Sequence, residues 1–140
     1  GTEQASEYLF PSADGNVELV LAASVLTHLV TAELARYLRE TARVLVPGGR
    51  ALLALFLLDL GSRAALTQGR ATLPFDLTSA AGPMVVVDPE LPEGAVAYDH
   101  AWFEGLCAEL GLRRVGAQPG SWRGLKASSH QDLVVLERPA

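Results

Sequence analysis

The sequence predicts an α/β fold built on one open, mainly parallel sheet with helices on one face. Three observations carry that reading. Residues 17–24 (VELVLAAS) and 51–58 (ALLALFLL) are apolar at nearly every position, the pattern of strands buried on both faces of a parallel sheet. Between them Leu34, Leu38, Ala42 and Leu45 recur at helical spacing, so the stretch 17–59 reads as a βαβ unit. With 140 residues, 49% of them hydrophobic, the chain suits a single domain over 1–140 with a real core.

Residues 1–16 are polar around the small cluster Tyr8-Leu9-Phe10, and Asp14-Gly15-Asn16 turns the chain into the first strand. That strand gives way to Ser24-Val25-Leu26-Thr27-His28-Leu29. Thr31 is placed to cap a helix over 32–46, with Glu33 in its first turn, favourable to the helix dipole. Arg36, Arg39 and Arg43 share that helix with Glu33 and Glu40 and predict a solvated, ion-paired face. Pro47-Gly48-Gly49 ends the helix before the strand 50–58.

Residues 59–98 lose clean periodicity. Gly61, Gly69, Gly82 and the prolines from Pro74 to Pro92 break any long helix, while 84–88 and 72–77 are candidates to pair as short strands. This stretch reads as an insertion over the carboxyl edge of the sheet. Asp99 then caps a helix over 99–110 whose apolar face carries Trp102, Phe103, Leu106, Cys107 and Leu110, and Gly111 closes it. A strand over 112–118, a glycine-rich loop over 119–130 and a strand over 132–137 complete the chain.

The net charge of −5 supplies no electrostatic footprint for nucleic acid or an anionic membrane. No apolar run approaches the roughly 18 residues of a membrane span. The single Cys107 forms no internal disulfide, and with no leader pattern the expected location is cytoplasmic. The absence of Ile and the excess of Arg over Lys suggest a GC-rich bacterial source.

The segments VELVLAASVLTHL, ARVLVPGGRALLALFLLD, AYDHAWFEGLCAELGLRRVG, GSWRG and HQDLVVLERP together resemble the carboxyl-terminal half of a class I S-adenosylmethionine-dependent methyltransferase. The resemblance implies a partial Rossmann-like sheet in which 17–24, 50–58, 112–118 and 132–137 are the family's fourth to seventh strands. Their order is fourth, fifth, seventh, sixth, and the last strand in sequence is antiparallel. Right-handed crossovers put helices 32–46 and 99–110 on one face. The resemblance places Ala23, Ser24, Val25 and His28 along the cofactor cleft; Asp59, at a strand end, could face the methyl acceptor or equally serve as a strand-end cap. Trp122, in the GSWRG loop, could close over a substrate or pack on the sheet edge. His28 could be a general base or an adenine neighbour, but a helix-entry histidine satisfied by backbone is the reading preferred.

The family holds the methionine end of its cofactor over a glycine-rich turn after the first strand and the ribose with a carboxylate after the second. The sequence contains neither a Gly-x-Gly turn nor a strand to precede it. Weak or no binding of S-adenosylmethionine by this chain alone is therefore expected. Two functions follow: the carboxyl-terminal portion of a methyltransferase for a small-molecule acceptor, or a half-fold binding module that no longer takes the cofactor. The missing half leaves the edge of strand 17–24 and one sheet face uncovered, so a homodimer or a second chain supplying that half is expected. Ser24 and His28 lack the Gly-x-Ser-x-Gly elbow of a hydrolase. Cys107 reads as a packing residue, Tyr98 and Trp102 as core. His100 and His130 stand apart, and no metal site is predicted.

Overall fold

The computed structural model describes residues 9–140. Strand β1 (Val17–Ala22) leads through a 3-10 turn (Leu26–His28) to helix α1 (Thr31–Val44) and strand β2 (Leu45–Leu58). Helix α2 (Leu60–Thr67), strands β3 (Met84–Val86) and β4 (Val96–Asp99), helix α3 (His100–Glu109) and strands β5 (Arg113–Gln118) and β6 (Asp132–Glu137) follow.

All six strands join one sheet centred on β2. Its first half pairs in parallel with β1, Leu19 to Ala22 beside Arg50 to Leu53, and antiparallel with β6 from Arg50 to Leu55. Its last three residues, Phe56 to Leu58, pair in parallel with β4. Strand β6 separates β2 from β5 and is antiparallel to both. The expected order of the four main strands is the observed one. The sheet is mixed rather than mainly parallel, because β6 makes two antiparallel pairs and the β3–β4 hairpin adds a third.

Helices α1 and α3 share one face of the sheet, as right-handed crossovers require. Leu34 and Leu38 of α1 and Phe103 and Cys107 of α3 pack with Ala51, Leu53, Leu55 and Leu57, alternate residues of β2 and therefore one side of the pleat. Each such leucine, fully buried, stabilises the fold by about 1.5–3 kcal/mol. Among the described residues the opposite face is covered at the carboxyl end of β2. There Phe56, Leu58 and Ala97 meet Phe75, Val85 and Trp122, with Leu66 of α2 and Leu73 at the margin. Further back along the same face Leu19 and Leu21 are 56% and 63% exposed, and Leu52 beside them is also exposed.

Several local expectations change. Val30, not Thr31, occupies the N-cap of α1; it has no polar side chain, and the Glu33 carboxylate instead accepts from its N–H at 3.1 Å. The Pro47-Gly48-Gly49 turn is a bulge inside β2 rather than its boundary. Gly48 sits at φ +85°, and β1 registers first with Leu45 and then with Arg50 across the looped-out residues. In 59–98 the partner of β3 is β4, not 72–77, since Phe75 is drawn into the aromatic cluster with Phe56 and Trp122.

The charged face of α1 is solvated only in part. Glu40 is buried; it accepts from the Phe10 N–H at 2.7 Å and from Arg43 Nε at 2.9 Å. Arg43 also reaches the Phe10 carbonyl and Asp14, and the Phe10 ring stands edge-on to Tyr37 at 4.9 Å, so the lead-in is clamped to the helix. The hydrogen bond from Arg43, with the charge behind it, holds the Glu40 carboxyl below its ordinary range. A carboxyl whose folded pKa is depressed contributes stability that is present above its unfolded pKa, about 4.3, and lost as pH falls through the folded value. Glu40→Gln is expected to cost about 1.5–3 kcal/mol at pH 7 and to flatten the acid limb of thermal stability below about pH 4. An acid limb as steep in the variant as in the wild type, by calorimetry, would contradict this.

Candidate functional site

Three parallel strands, β1, β2 and β4, bring their carboxyl ends to one edge of the sheet, where an open α/β sheet places its ligands. Two constellations stand there. The first is the loop after β1. Ala23, Ser24 and Val25 are exposed, while Leu26 and Thr27 are buried and anchor the turn beneath them. Ser24 is the one residue other than glycine with positive φ among those described, at 66°. Such a backbone costs on the order of 1–3 kcal/mol and persists where its surroundings enforce it. The Thr27 hydroxyl donates to the Ser24 carbonyl at 3.3 Å, and the His28 N–H to the Val25 carbonyl at 3.2 Å. The His28 ring is exposed, with Nδ1 2.9 Å from the Glu93 carbonyl oxygen.

The second constellation lies at the ends of β2 and β4. Asp59 caps α2, accepting from the Ser62 N–H at 2.9 Å, and Asp99 caps α3, accepting from the Trp102 N–H at 3.0 Å. Arg123 Nη1 donates to both Asp59 oxygens at 2.8 and 2.9 Å, and Arg63 binds Asp99 at 2.9 Å. Asp59, Arg63, Asp99, His100 and Arg123 line an open cavity of about 590 Å³. For Asp59, burial works against the charge, but the Ser62 N–H and Arg123 outweigh it and the carboxyl stays below its ordinary range. In Asp99 the Trp102 N–H is the chief cause of the same downward shift.

Beneath the cavity is a buried ionic knot. Asp132, at the start of β6, accepts from the N–H groups of Leu57 and Gly120, from Trp122 Nε1 at 3.1 Å, and from Arg123 Nε at 2.8 Å and Nη2 at 3.1 Å. Arg123 Nη2 also donates to the Leu57 carbonyl. Burial alone would lower the Arg123 pKa; the Asp132 and Asp59 carboxylates reverse that and raise it. Glycine is required on both sides of Ser-Trp-Arg. A Cβ at Gly120 would overlap the backbone of His130 and Gln131, and Gly124, at φ +85°, lies against the Arg70 carbonyl.

The structure thus brings Ala23, Ser24, Val25 and His28 together on one exposed loop and sets Asp59 at the neighbouring strand end. Trp122 is different. It is fully buried between Phe56 and Phe75, so its indole serves the core and the knot and presents nothing to the cavity. Asp132 and Arg63 were not singled out by the sequence. An aspartate opening an otherwise apolar strand, DLVVLE, was the available signal for the first. His100 pairs with Glu104 at 3.3 Å and His130 with Thr72 at 3.1 Å. Among the described residues no three His, Cys, Asp or Glu side chains gather as metal ligands, and no helix is long and apolar enough to cross a membrane. Cys107 is buried against the sheet, and desolvation pushes its thiol up to about 12, away from nucleophilic chemistry.

Removing Asp132 leaves the Arg123 guanidinium and the Trp122 N–H without a main partner. Asp132→Ala is expected to cost about 3–5 kcal/mol. Asp59→Asn, at the rim of the same knot, is expected to cost less. Denaturant unfolding of the two variants that ranks them the other way would contradict the assignment of Asp132 as the centre.

Comparison with known proteins follows this geometry. Residues 2–53, which carry β1, the strand-end loop, α1 and the first part of β2, match the methyltransferase domain family. In fold the chain is similar to an S-adenosylmethionine-dependent methyltransferase from Methanosarcina mazei, at 18% identity and TM-score 0.61, covering 98% of this chain and 65% of that one. It is similar also to the Burkholderia thailandensis 1,6-didemethyltoxoflavin-N1-methyltransferase, solved with 1,6-didemethyltoxoflavin and S-adenosylhomocysteine. That likeness has 14% identity and TM-score 0.57 and covers 97% of this chain and 48% of that one. A putative methyltransferase of Haloferax volcanii, in complex with the Trm112 activator, aligns at 14% identity and TM-score 0.54 over 94% of this chain and 58% of its own. The chain spans about half to two thirds of the length of these structures. It is similar to the S-adenosylmethionine-dependent methyltransferases, in sequence over residues 2–53 and in fold over nearly its whole length.

Proposed function

We propose that this chain is the carboxyl-terminal portion of an S-adenosylmethionine-dependent methyltransferase acting on a small-molecule acceptor. The observation that carries the reading is the loop Ala23–His28. It is an exposed turn with a strained serine at the carboxyl end of a parallel strand, within the stretch matched by the methyltransferase domain family. In this reading Ala23, Ser24, Val25 and His28 form one wall of the cofactor cleft, and Asp59, with the cavity beside it, faces the acceptor.

The described residues fit only part of the cofactor. The exposed backbone at 23–25 offers hydrogen-bonding groups, but the nearby carboxylates Asp59 and Asp99 are each held by an arginine, and the sequence has no Gly-x-Gly turn. A ribose carboxylate and a glycine-rich turn have to come from elsewhere. Without them three or four hydrogen bonds are lost, at about 1 kcal/mol each, which weakens binding by on the order of a hundredfold or more. The second reading, a half-fold module that no longer takes the cofactor, is favoured by the closed pairing of Asp59 with Arg123.

The bare face suits the same proposal. Leu19, Leu21 and Leu52 lie side by side across β1 and β2, and the outer edge of β1 has no partner strand among the described residues. Either the amino-terminal half of the fold or a second copy of this chain covers them.

Calorimetric titration with S-adenosylhomocysteine tests the function. The 140-residue chain is expected to show no micromolar binding, and the complete polypeptide that contains it to bind. Micromolar binding by the short chain would contradict the partial fit, and no binding by the complete polypeptide would favour the module. Light scattering tests the partner: the 140-residue chain alone is expected to associate at micromolar concentration. A clean monomer that binds no apolar dye would contradict an uncovered face.

A further inference from the structure

We propose that Glu93 fixes His28 as its Nδ1–H tautomer, so that Nε2 presents a lone pair as the proton acceptor for a hydroxyl or amine of the ligand bound at this strand end. The inference deepens the proposed function, on which the identity of that ligand rests. The tautomer itself does not depend on it.

The argument starts from one contact. His28 Nδ1 lies 2.9 Å from the Glu93 main-chain oxygen. A carbonyl only accepts, so the hydrogen is on Nδ1, and the neutral imidazole then carries its lone pair on Nε2. The exposed His28 ring has no other polar partner among the described residues. The other two histidines are used the opposite way: His100 meets Glu104 and His130 meets Thr72 through Nε2. Of the three, His28 alone keeps Nε2 available.

Both sides of the contact are held in place. Glu93 belongs to the short 3-10 turn Pro92–Gly94 in the connection between β3 and β4. That connection is closed by the Leu91 N–H on the Asp88 carbonyl at 3.0 Å and the Gly94 N–H on the Leu91 carbonyl at 3.0 Å, while Pro92 restricts its backbone. On the other side, Leu26 and Thr27 are buried, and the Tyr98 hydroxyl donates to the Leu29 carbonyl at 2.6 Å, tying β4 to the same turn. Two segments 65 residues apart are joined there.

A hydrogen bond from Nδ1–H to a carbonyl orients the ring and fixes which nitrogen carries the lone pair. When a ligand hydroxyl is deprotonated, its oxygen keeps the electron pair and the proton passes to Nε2. The resulting imidazolium still donates Nδ1–H to the Glu93 carbonyl, so the ring keeps its orientation through the transfer.

Long-range proton–nitrogen NMR of the 15N-labelled chain, at a pH where the ring is neutral, reads the tautomer directly. With three histidines, the variants H28Q, H100N and H130N complete the assignment. His28 is expected to show a protonated Nδ1 and an unprotonated Nε2, with at least about a fivefold excess of that form. Pro92→Gly, which loosens the turn that carries the carbonyl, is expected to shift the population towards the Nε2–H form. Titration with phenol, a simple hydroxyl donor, is expected to move Nε2 of His28 and leave His100 and His130 in place. An Nε2–H tautomer in the wild type, a population unmoved in a folded Pro92→Gly variant, or no phenol response at Nε2 would each overturn the proposal. None of these readouts involves methyl transfer, so a failure of the methyltransferase reading would be seen separately, in the S-adenosylhomocysteine titration.

Discussion

The carboxyl edge of this sheet depends on one buried carboxylate. Asp132 opens β6 directly beside the last residues of β2, and its two oxygens accept from backbone, indole and guanidinium groups belonging to β2, the Gly120–Gly124 loop and Arg123. A buried charge is tolerable only where its lone pairs are filled. Here five donors fill them, and Arg123 passes the restraint on to Asp59 and thus to the first turn of α2. The glycine-rich loop is thereby pinned to the sheet. The aromatic cluster of Phe56, Phe75 and Trp122 closes over the sheet face opposite α1 and α3 at this edge.

That arrangement divides the sheet into two regimes. The face under α1 and α3 is packed along the whole of β2, whereas the opposite face is packed from Phe56 onwards and bare behind it. The boundary falls where the 59–98 segment stops reaching. A parallel strand with apolar side chains on both faces is built to be sandwiched, and Leu19, Leu21 and Leu52 are the side chains left exposed on that face among the described residues. The bare face and the loop Ala23–His28 thus lie on the same strand.

Much of this was legible in the sequence because it rests on periodicity and punctuation. The unbroken apolar runs of β1 and β2, the helical spacing of Leu34 and Leu38, and the Asp99 cap each announce themselves within a few residues, and the observed order and helix placement follow. The strand-end loop was legible in the same way, as the place where an apolar run stops. What escaped is non-local. The Asp132–Arg123–Asp59 knot joins residues from three parts of the chain, and nothing in GSWRG or DLVVLE says that the arginine of one neutralises the aspartate of the other. For Trp122 the sequence left a substrate-closing and a packing use side by side, because the choice depends on burial with Phe75, itself in a stretch without periodicity. The capping of α1 by a glutamate from inside the helix, and the burial of Glu40 beneath Phe10, likewise depend on what the lead-in does in space.

The central claim is that the loop after β1 is the chain's contribution to a cofactor cleft. Chemical-shift mapping of S-adenosylhomocysteine on the complete polypeptide tests it most directly. The account predicts the largest perturbations at Ala23, Ser24, Val25 and His28, with smaller ones near Asp59. Saturable binding that leaves those residues unmoved would contradict it.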